Sequence, residues 1–209
     1  MKAGPKTPAV KTPAKKKKKT PKKPAPTIPA PGSSSVKKGA SIFGTPAGIN
    51  GALADSGVSW TYNWAAKNAV STPKGVEYVP MIWGAASADN ATLAQAKQSS
   101  SGTLLGFNEP DFADQANMTV EKALDLWPEL EATKLRLGSP AVAWGADQEN
   151  EWLDRFMDGA EQRGLRVDFI TLHWYGGDFN PTNATQQLQS YIKRPTPSTT
   201  SRSGSPSTR

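Results

Sequence analysis

Leu104-Leu105-Gly106-Phe107-Asn108-Glu109-Pro110-Asp111 decides how this chain is read. The run 103–107 is short and apolar, as in a strand buried on both faces. Pro110 has no N–H to give to a ladder, so the strand ends near Glu109. A carboxylic acid therefore stands at the C-terminal tip of a buried strand, with the carboxamide of Asn108 before it and Asp111 behind it.

The same figure recurs on either side of this stretch. Further strands are predicted at 40–43, 59–63, 77–83, 136–139 and 169–173, and helices at 48–55, 90–99, 119–131, 148–163 and 184–192. Thr119 and Asp89 are positioned as N-caps, and Gly164 as a helix stop. Six strands alternating with helices predict an α/β fold with a parallel sheet. No Gly-x-Gly-x-x-Gly follows the first strand and no phosphate loop occurs, so nucleotide binding has no support. A doubly wound sheet and a (β/α)₈ TIM barrel both fit the alternation. The barrel is favoured because polar and aromatic residues collect behind the strands: Asn63 and Trp64, Trp83, Asn108 and Glu109, Trp144, then His173, Trp174 and Tyr175. Barrel enzymes carry their sites on that rim. About six βα units fit before the sequence changes character, so the barrel is expected to be incomplete, with open sheet edges.

Charge divides the chain into three parts. Residues 1–38 hold twelve lysines and no acid among Pro, Ala and Thr. They are expected to be a disordered tail that could contact an acidic polymer such as nucleic acid or a polyanionic wall. Residues 39–193 hold ten basic and eighteen acidic side chains, so the body is acidic although the whole chain carries +7. Residues 194–209 are Ser-, Thr- and Pro-rich and are expected to be a second disordered tail. Cysteine is absent, which excludes disulfides, thiol catalysis and cysteine-held metals. No stretch reaches the roughly 18 apolar residues of a membrane span, and the N-terminus has no apolar signal region. Sequons at Asn90, Asn117 and Asn183 matter if the chain enters a secretory pathway.

Cleaving a glycosidic bond needs an acid to protonate the leaving oxygen and a second carboxylate across the bond. Glu109 fits the first role. Alone it reads equally well as a capping or ion-paired loop residue; the aromatic rim favours the catalytic reading. An indole face stacks on the C–H face of a pyranose, which makes Trp64, Trp83, Trp144 and Trp174 candidate platforms. Trp127 and Trp152 lie within helix patterns and are expected in the core. The single histidine, His173, cannot build a multi-histidine metal site. Ending a strand, it is placed to bond substrate or Glu109, with Tyr62, Asn63 and Tyr175 as further polar contacts.

Together, 59–64, 78–84, 104–111, 138–141 and the His173-Trp174-Tyr175-Gly176 run resemble glycoside hydrolase family 128, a clan A family, in order and spacing over about residues 37–193. The resemblance implies a barrel that hydrolyses β-1,3-glucan internally with retention. It makes Glu109 the acid/base, has Asn108 contact the sugar, and lines the site with Tyr62, Trp64, Trp83, His173 and Tyr175. It implies no metal or organic cofactor, a monomer, and action outside the cell or at the cell wall. The family's nucleophile is a second glutamate after strand seven, and the pattern stops after Lys193, as if truncated after strand six. Asp147 and Asp178 lie in loops after strands five and six, but nothing in the sequence aims them at Glu109. Three readings follow: a hydrolase shortened at its C-terminal side, a catalytically dead glucan-binding remnant, or an interaction protein acting through its basic tail.

Overall fold

The computed structural model describes residues 38–193. The expectations for the two tails lie outside the described residues, apart from Lys38. The strands are β1 (Gly39–Ser41), β2 (Trp60–Tyr62), β3 (Glu77–Tyr78), β4 (Thr103–Leu104) and β5 (Arg136–Leu137). The helices are α1 (Ile49–Asp55), α2 (Asn90–Gln98), α3 (Val120–Glu131), α4 (Trp152–Arg163) and α5 (Pro181–Lys193), with a 3-10 turn at Ala85–Ser87.

Every strand pairing is parallel. β1, β2 and β3 form one sheet and β4 and β5 another. Isolated bridges continue the series: Met81 with Leu105, Asn108 with Ala141, and Gly138 with Phe169. Spatial neighbours are thus sequence neighbours, whereas a doubly wound sheet reverses its order at a switch point. No reversal occurs among the described residues.

The strands are shorter than the sequence predicts, and proline is one reason. The third was expected over 77–83, but Pro80 has no N–H. Its carbonyl still accepts from Leu105 N at 2.9 Å, and Ile82 N reaches Leu105 O at 3.1 Å, so the chain runs on as a strand without a continuous ladder. The sixth strand, expected at 169–173, is reduced to the single bridge at Phe169. Ser139 N donates to Phe169 O at 2.9 Å, but beyond that point a side chain replaces the ladder: Thr171 N donates to Ser139 Oγ at 3.0 Å. The segment pairs on one side only and stays half-exposed from Phe169 to His173.

The helix caps follow the sequence. Thr119 Oγ1 accepts from Lys122 N at 3.1 Å, Asp89 accepts from Ala91 N and Thr92 N, and Gly164 ends α4 with φ +68°. α4 was expected from residue 148 and begins at Trp152. Asn150 takes a left-handed φ of +64° and its N–H is held by Asp154, which breaks the helix at that point.

The described core lies between the strands and helices α2, α3 and α4. Leu104 and Leu137 point into it and meet Trp127, Leu130, Leu153 and Phe156, all fully or nearly fully buried. Trp127 packs edge-on against Phe107 and Phe156, at 5.9 and 5.0 Å between ring centres, and Trp152 stacks on Phe156 at 5.6 Å. Both buried indoles satisfy their N–H, Trp127 on Arg166 O at 2.9 Å and Trp152 on Met118 O at 2.8 Å. The expected core role of these two tryptophans is thus realised. α5 has no buried residue; its half-buried stripe Ala184, Leu188 and Tyr191 faces inward, and Tyr191 ties it to the sixth segment by donating to His173 O at 2.9 Å.

Candidate active site

The ends of β1 to β4 and of the sixth segment open into one cleft of about 810 Å³. Tyr62 and Trp64 come from β2 and its following loop, Trp83 from the chain after β3, Asn108 and Glu109 from the chain after β4, and His173 and Tyr175 from the sixth segment. These are the seven residues that the family resemblance placed in the site, and all of them line this cleft.

Glu109 sits at its floor, 7% exposed. Its carboxyl is held on one oxygen: Tyr175 donates its hydroxyl to Oε1 at 2.7 Å, and His173 Nδ1 lies 2.7 Å from the same atom. Oε2 has no hydrogen bond among the described residues and is left for a ligand. The Tyr175 phenol is pushed up to about 12, first by its bond to Glu109, then by desolvation and the glutamate charge. It therefore stays protonated, and a donor, across ordinary pH. Although the Tyr175 ring is largely exposed, its hydroxyl is fixed to a buried group.

The backbone at Glu109 is strained, with φ +45°, and Trp64 across the cleft has φ +59°. Left-handed non-glycine residues cost on the order of 1–3 kcal/mol and persist where surroundings over-determine them. At Glu109 the fixing bonds are explicit. Glu109 N donates to Ala141 O at 2.7 Å and Phe112 N to Glu109 O at 3.1 Å. Asp111 then clamps the neighbouring loop, accepting from Ala143 N at 2.8 Å and Trp144 N at 3.0 Å. The tips of β4 and β5 are tied together just where the acid emerges.

Asn108 is 3% exposed. Its Nδ2 donates to Gln115 Oε1 at 3.1 Å, while its Oδ1 is buried with no partner. Such an acceptor costs roughly 1–3 kcal/mol until a donor reaches it. Gln115 also lines the cleft and went unread in the sequence, where a glutamine in a polar loop carries no signal. Phe43, 90% exposed beside the cleft, was likewise missed. The signal was available, since it follows β1 as the other aromatics follow their strands.

Among the aromatics, Tyr62 and Trp64 form a tilted pair, 5.1 Å between ring centres, and share the lining with Trp83. Burial raises the Tyr62 phenol above its ordinary value. Trp174 lines the cleft too, whereas Trp144 does not. Asn63 accepts from the buried Tyr78 hydroxyl, which also donates to Ala65 O at 2.6 Å.

Glu109 is the one acidic side chain lining the cleft among the described residues. Asp178 is occupied at the start of α5, accepting from Asn180 N at 2.8 Å and Asn183 Nδ2 at 2.9 Å. Asp147 lines a separate, smaller cavity. Among the described residues no group of three or more histidine, aspartate or glutamate side chains is arranged to hold a metal, and no helix is long and apolar enough to cross a membrane. What the cleft offers chemically is one buried carboxyl with a free oxygen, amide groups beside it, and aromatic walls.

Residues 43–197 match the family model described as the glycosyl hydrolase catalytic core, and the chain belongs to that class. Within it, the family is glycoside hydrolase family 128. A subgroup I endo-β-1,3-glucanase from Amycolatopsis mediterranei, solved as a glutamate-to-alanine variant with laminaripentaose, is 57% identical with a TM-score of 0.73, covering 76% of this chain and 65% of that one. A subgroup II endo-β-1,3-glucanase from Sorangium cellulosum is 32% identical with a TM-score of 0.60, covering 75% of this chain and 70% of that one. Alkali-sensitive linkage protein 1 of Schizosaccharomyces pombe is 31% identical over 168 residues, 77% of this chain and 29% of its own length. The chain thus spans about two thirds of the Amycolatopsis glucanase and under a third of the yeast protein.

Proposed function

We propose that this chain is a β-1,3-glucan-directed glycosidase domain in which Glu109 is the catalytic acid/base. The observation that carries the proposal is the asymmetric holding of Glu109: both protein bonds go to Oε1, which leaves Oε2 to carry a proton toward a glycosidic oxygen. Tyr62, Trp64 and Trp83 form stacking surfaces for pyranose rings, and Asn108 contacts a sugar hydroxyl. His173 and Tyr175 both line the sugar site and orient the acid. The parallel, sequence-ordered strands support reading residues 39–193 as the first six units of a (β/α)₈ barrel, flanked by tails at 1–38 and 194–209.

A retaining mechanism needs a second carboxyl roughly 5–5.5 Å from the first. The second reading is a domain that grips glucan without cutting it. In both readings the protein acts as a monomer outside the cell or at the wall, and the lysine-rich residues 1–38 add contact to acidic polymers.

The shared claim is glucan recognition. Co-sedimentation of the 209-residue chain with insoluble β-1,3-glucan and with cellulose tests it. Retention on the β-1,3-glucan, lost with Trp64→Ala and absent on cellulose, is expected. Equal retention on both, or on neither, contradicts it.

A further inference from the structure

The loop after β2 borders two spaces. Trp64 and Ala69 line the main cleft. Lys67, Asn68 and Thr72 of the same loop line a separate cavity of about 470 Å³, whose other wall includes Gln95 and Gln98 of α2 and Ser99 just after it. Its volume falls in the range of about 300–1,000 Å³ that small-molecule sites occupy. The loop is therefore a partition, with the catalytic cleft on one side and a pocket that the glucan reading does not use on the other.

Carboxamides and hydroxyls dominate its wall, and these both donate and accept. The side chains of Thr72, Gln95 and Gln98 make no hydrogen bond among the described residues, and Ser99 Oγ is buried with no partner. No carboxylate lines the cavity, and Lys67 stands in its wall, so a cation finds no counter-charge. An anion meets the end of α2, where the carbonyls of Lys97 and Gln98 accept no hydrogen bond among the described residues and carry the helix's partial negative charge. The opposed charges leave a neutral ligand rich in hydroxyls as the best match. The one aromatic ring in the lining, Tyr78, is 5% exposed, so such a ligand is held by its hydroxyls rather than by stacking.

We propose that this cavity is a second saccharide site, taking a neutral mono- or disaccharide, whose occupation fastens the loop 66–72 and steadies the cleft wall at Trp64 and Ala69. The loop has little else to hold it. Ala65 O accepts from Met81 N at 3.0 Å and from the Tyr78 hydroxyl at 2.6 Å. Beyond that anchor, the backbone of 66–72 makes one hydrogen bond among the described residues, Val70 N to Asn68 Oδ1 at 3.1 Å. Segments with so few fixed bonds open at low cost. A sugar bridging Asn68 and Thr72 to Gln95 and Gln98 would tie the loop to α2. The coupling to the cleft rests on the glucan reading above; the site itself does not. Coupling of this kind is reciprocal, so a filled cleft tightens the second site as well.

Calorimetric titration of the full chain with glucose tests this, alone and with laminarihexaose filling the cleft. Glu109→Gln serves as the background, so that the hexaose stays intact. Glucose should bind in both states with an affinity on the order of millimolar, about fivefold more tightly when the hexaose is present. Replacing Gln95 and Gln98 together by Ala should weaken glucose on the order of tenfold, through the loss of two hydrogen-bonding side chains. Both positions are exposed, so the melting temperature should not move. Glucuronate should bind more weakly than glucose. Glucose binding that the hexaose abolishes overturns the site, because the sugar then occupies the cleft. Binding indifferent to the double substitution, or tighter for glucuronate, overturns it too. Equal glucose affinity with and without bound hexaose overturns the coupling. Hexaose that fails to bind while the glucose site persists overturns the glucan reading alone.

Discussion

The hydroxyl of Tyr175 donates to Oε1 of Glu109 at 2.7 Å across 66 positions of sequence. This bond joins the tip of the fourth strand to the end of the sixth. It fixes which carboxyl oxygen faces the cleft, and the glutamate in turn keeps the phenol protonated.

That coupling predicts an alkaline signature. The chain has four tyrosines, and each is raised above its ordinary value: Tyr62, Tyr78 and Tyr191 chiefly by burial, and Tyr175, to about 12, chiefly by its bond to Glu109. The unfolded value is about 10. A folded pKa above the unfolded one means the native state holds the proton longer. The stability this supplies is therefore complete below about pH 10 and is lost as pH rises through the folded values. Absorbance at 295 nm should stay nearly flat through pH 10 in the native protein and show a midpoint near 10 in denaturant. Tyr175→Phe should remove one phenolate from the late part of the native titration. A full native titration centred near pH 10 contradicts the bonding described.

Asp111→Ala removes two backbone clamps on the chain after β5. Hydrogen bonds to a charged acceptor contribute roughly 1.5–3 kcal/mol, and the melting temperature should fall accordingly. The exposed Trp144 should lose its fixed position, which tryptophan fluorescence anisotropy reads. An unchanged melting temperature and anisotropy would remove Asp111 from this role.

Gly106→Ala tests the close approach of β4 and β5. A Cβ at this position would lie 2.8 Å from the carbonyl oxygen of Gly138 and 3.0 Å from Ser139 backbone. Backbone inside a parallel pair cannot step aside, so destabilisation of about 1–3 kcal/mol is expected from chemical denaturation. Because the displaced strands carry Glu109 and Ala141, glucan binding should weaken as well. A neutral substitution would mean that the strand tips are further apart than described.

Much of this arrangement was legible in the sequence because each site residue follows an apolar strand run. Glu109 was marked by the strand before it and the proline after it, and His173 and Tyr175 by the same logic at the sixth run. Asn108 was read as a sugar contact, but not its bond to Gln115, which depends on how the loop 110–118 folds back over seven residues. The missing ladder of the sixth strand was not legible either, because the Ser139 hydroxyl that replaces a backbone bond looks like any serine in sequence. Nor was the late start of α4, set by a left-handed Asn150. Strand and helix existence came from periodicity, whereas these departures came from single side chains competing with the backbone for hydrogen bonds.

The most direct test of the central claim is release of reducing ends from a linear β-1,3-glucan by the wild-type chain beside Glu109→Gln, with binding of the same glucan measured in parallel. Release by the wild type that vanishes in Glu109→Gln while binding persists is the predicted result for a hydrolase whose proton comes from Oε2. Undiminished release by Glu109→Gln, or loss of binding together with release, would contradict Glu109 as the acid of this cleft.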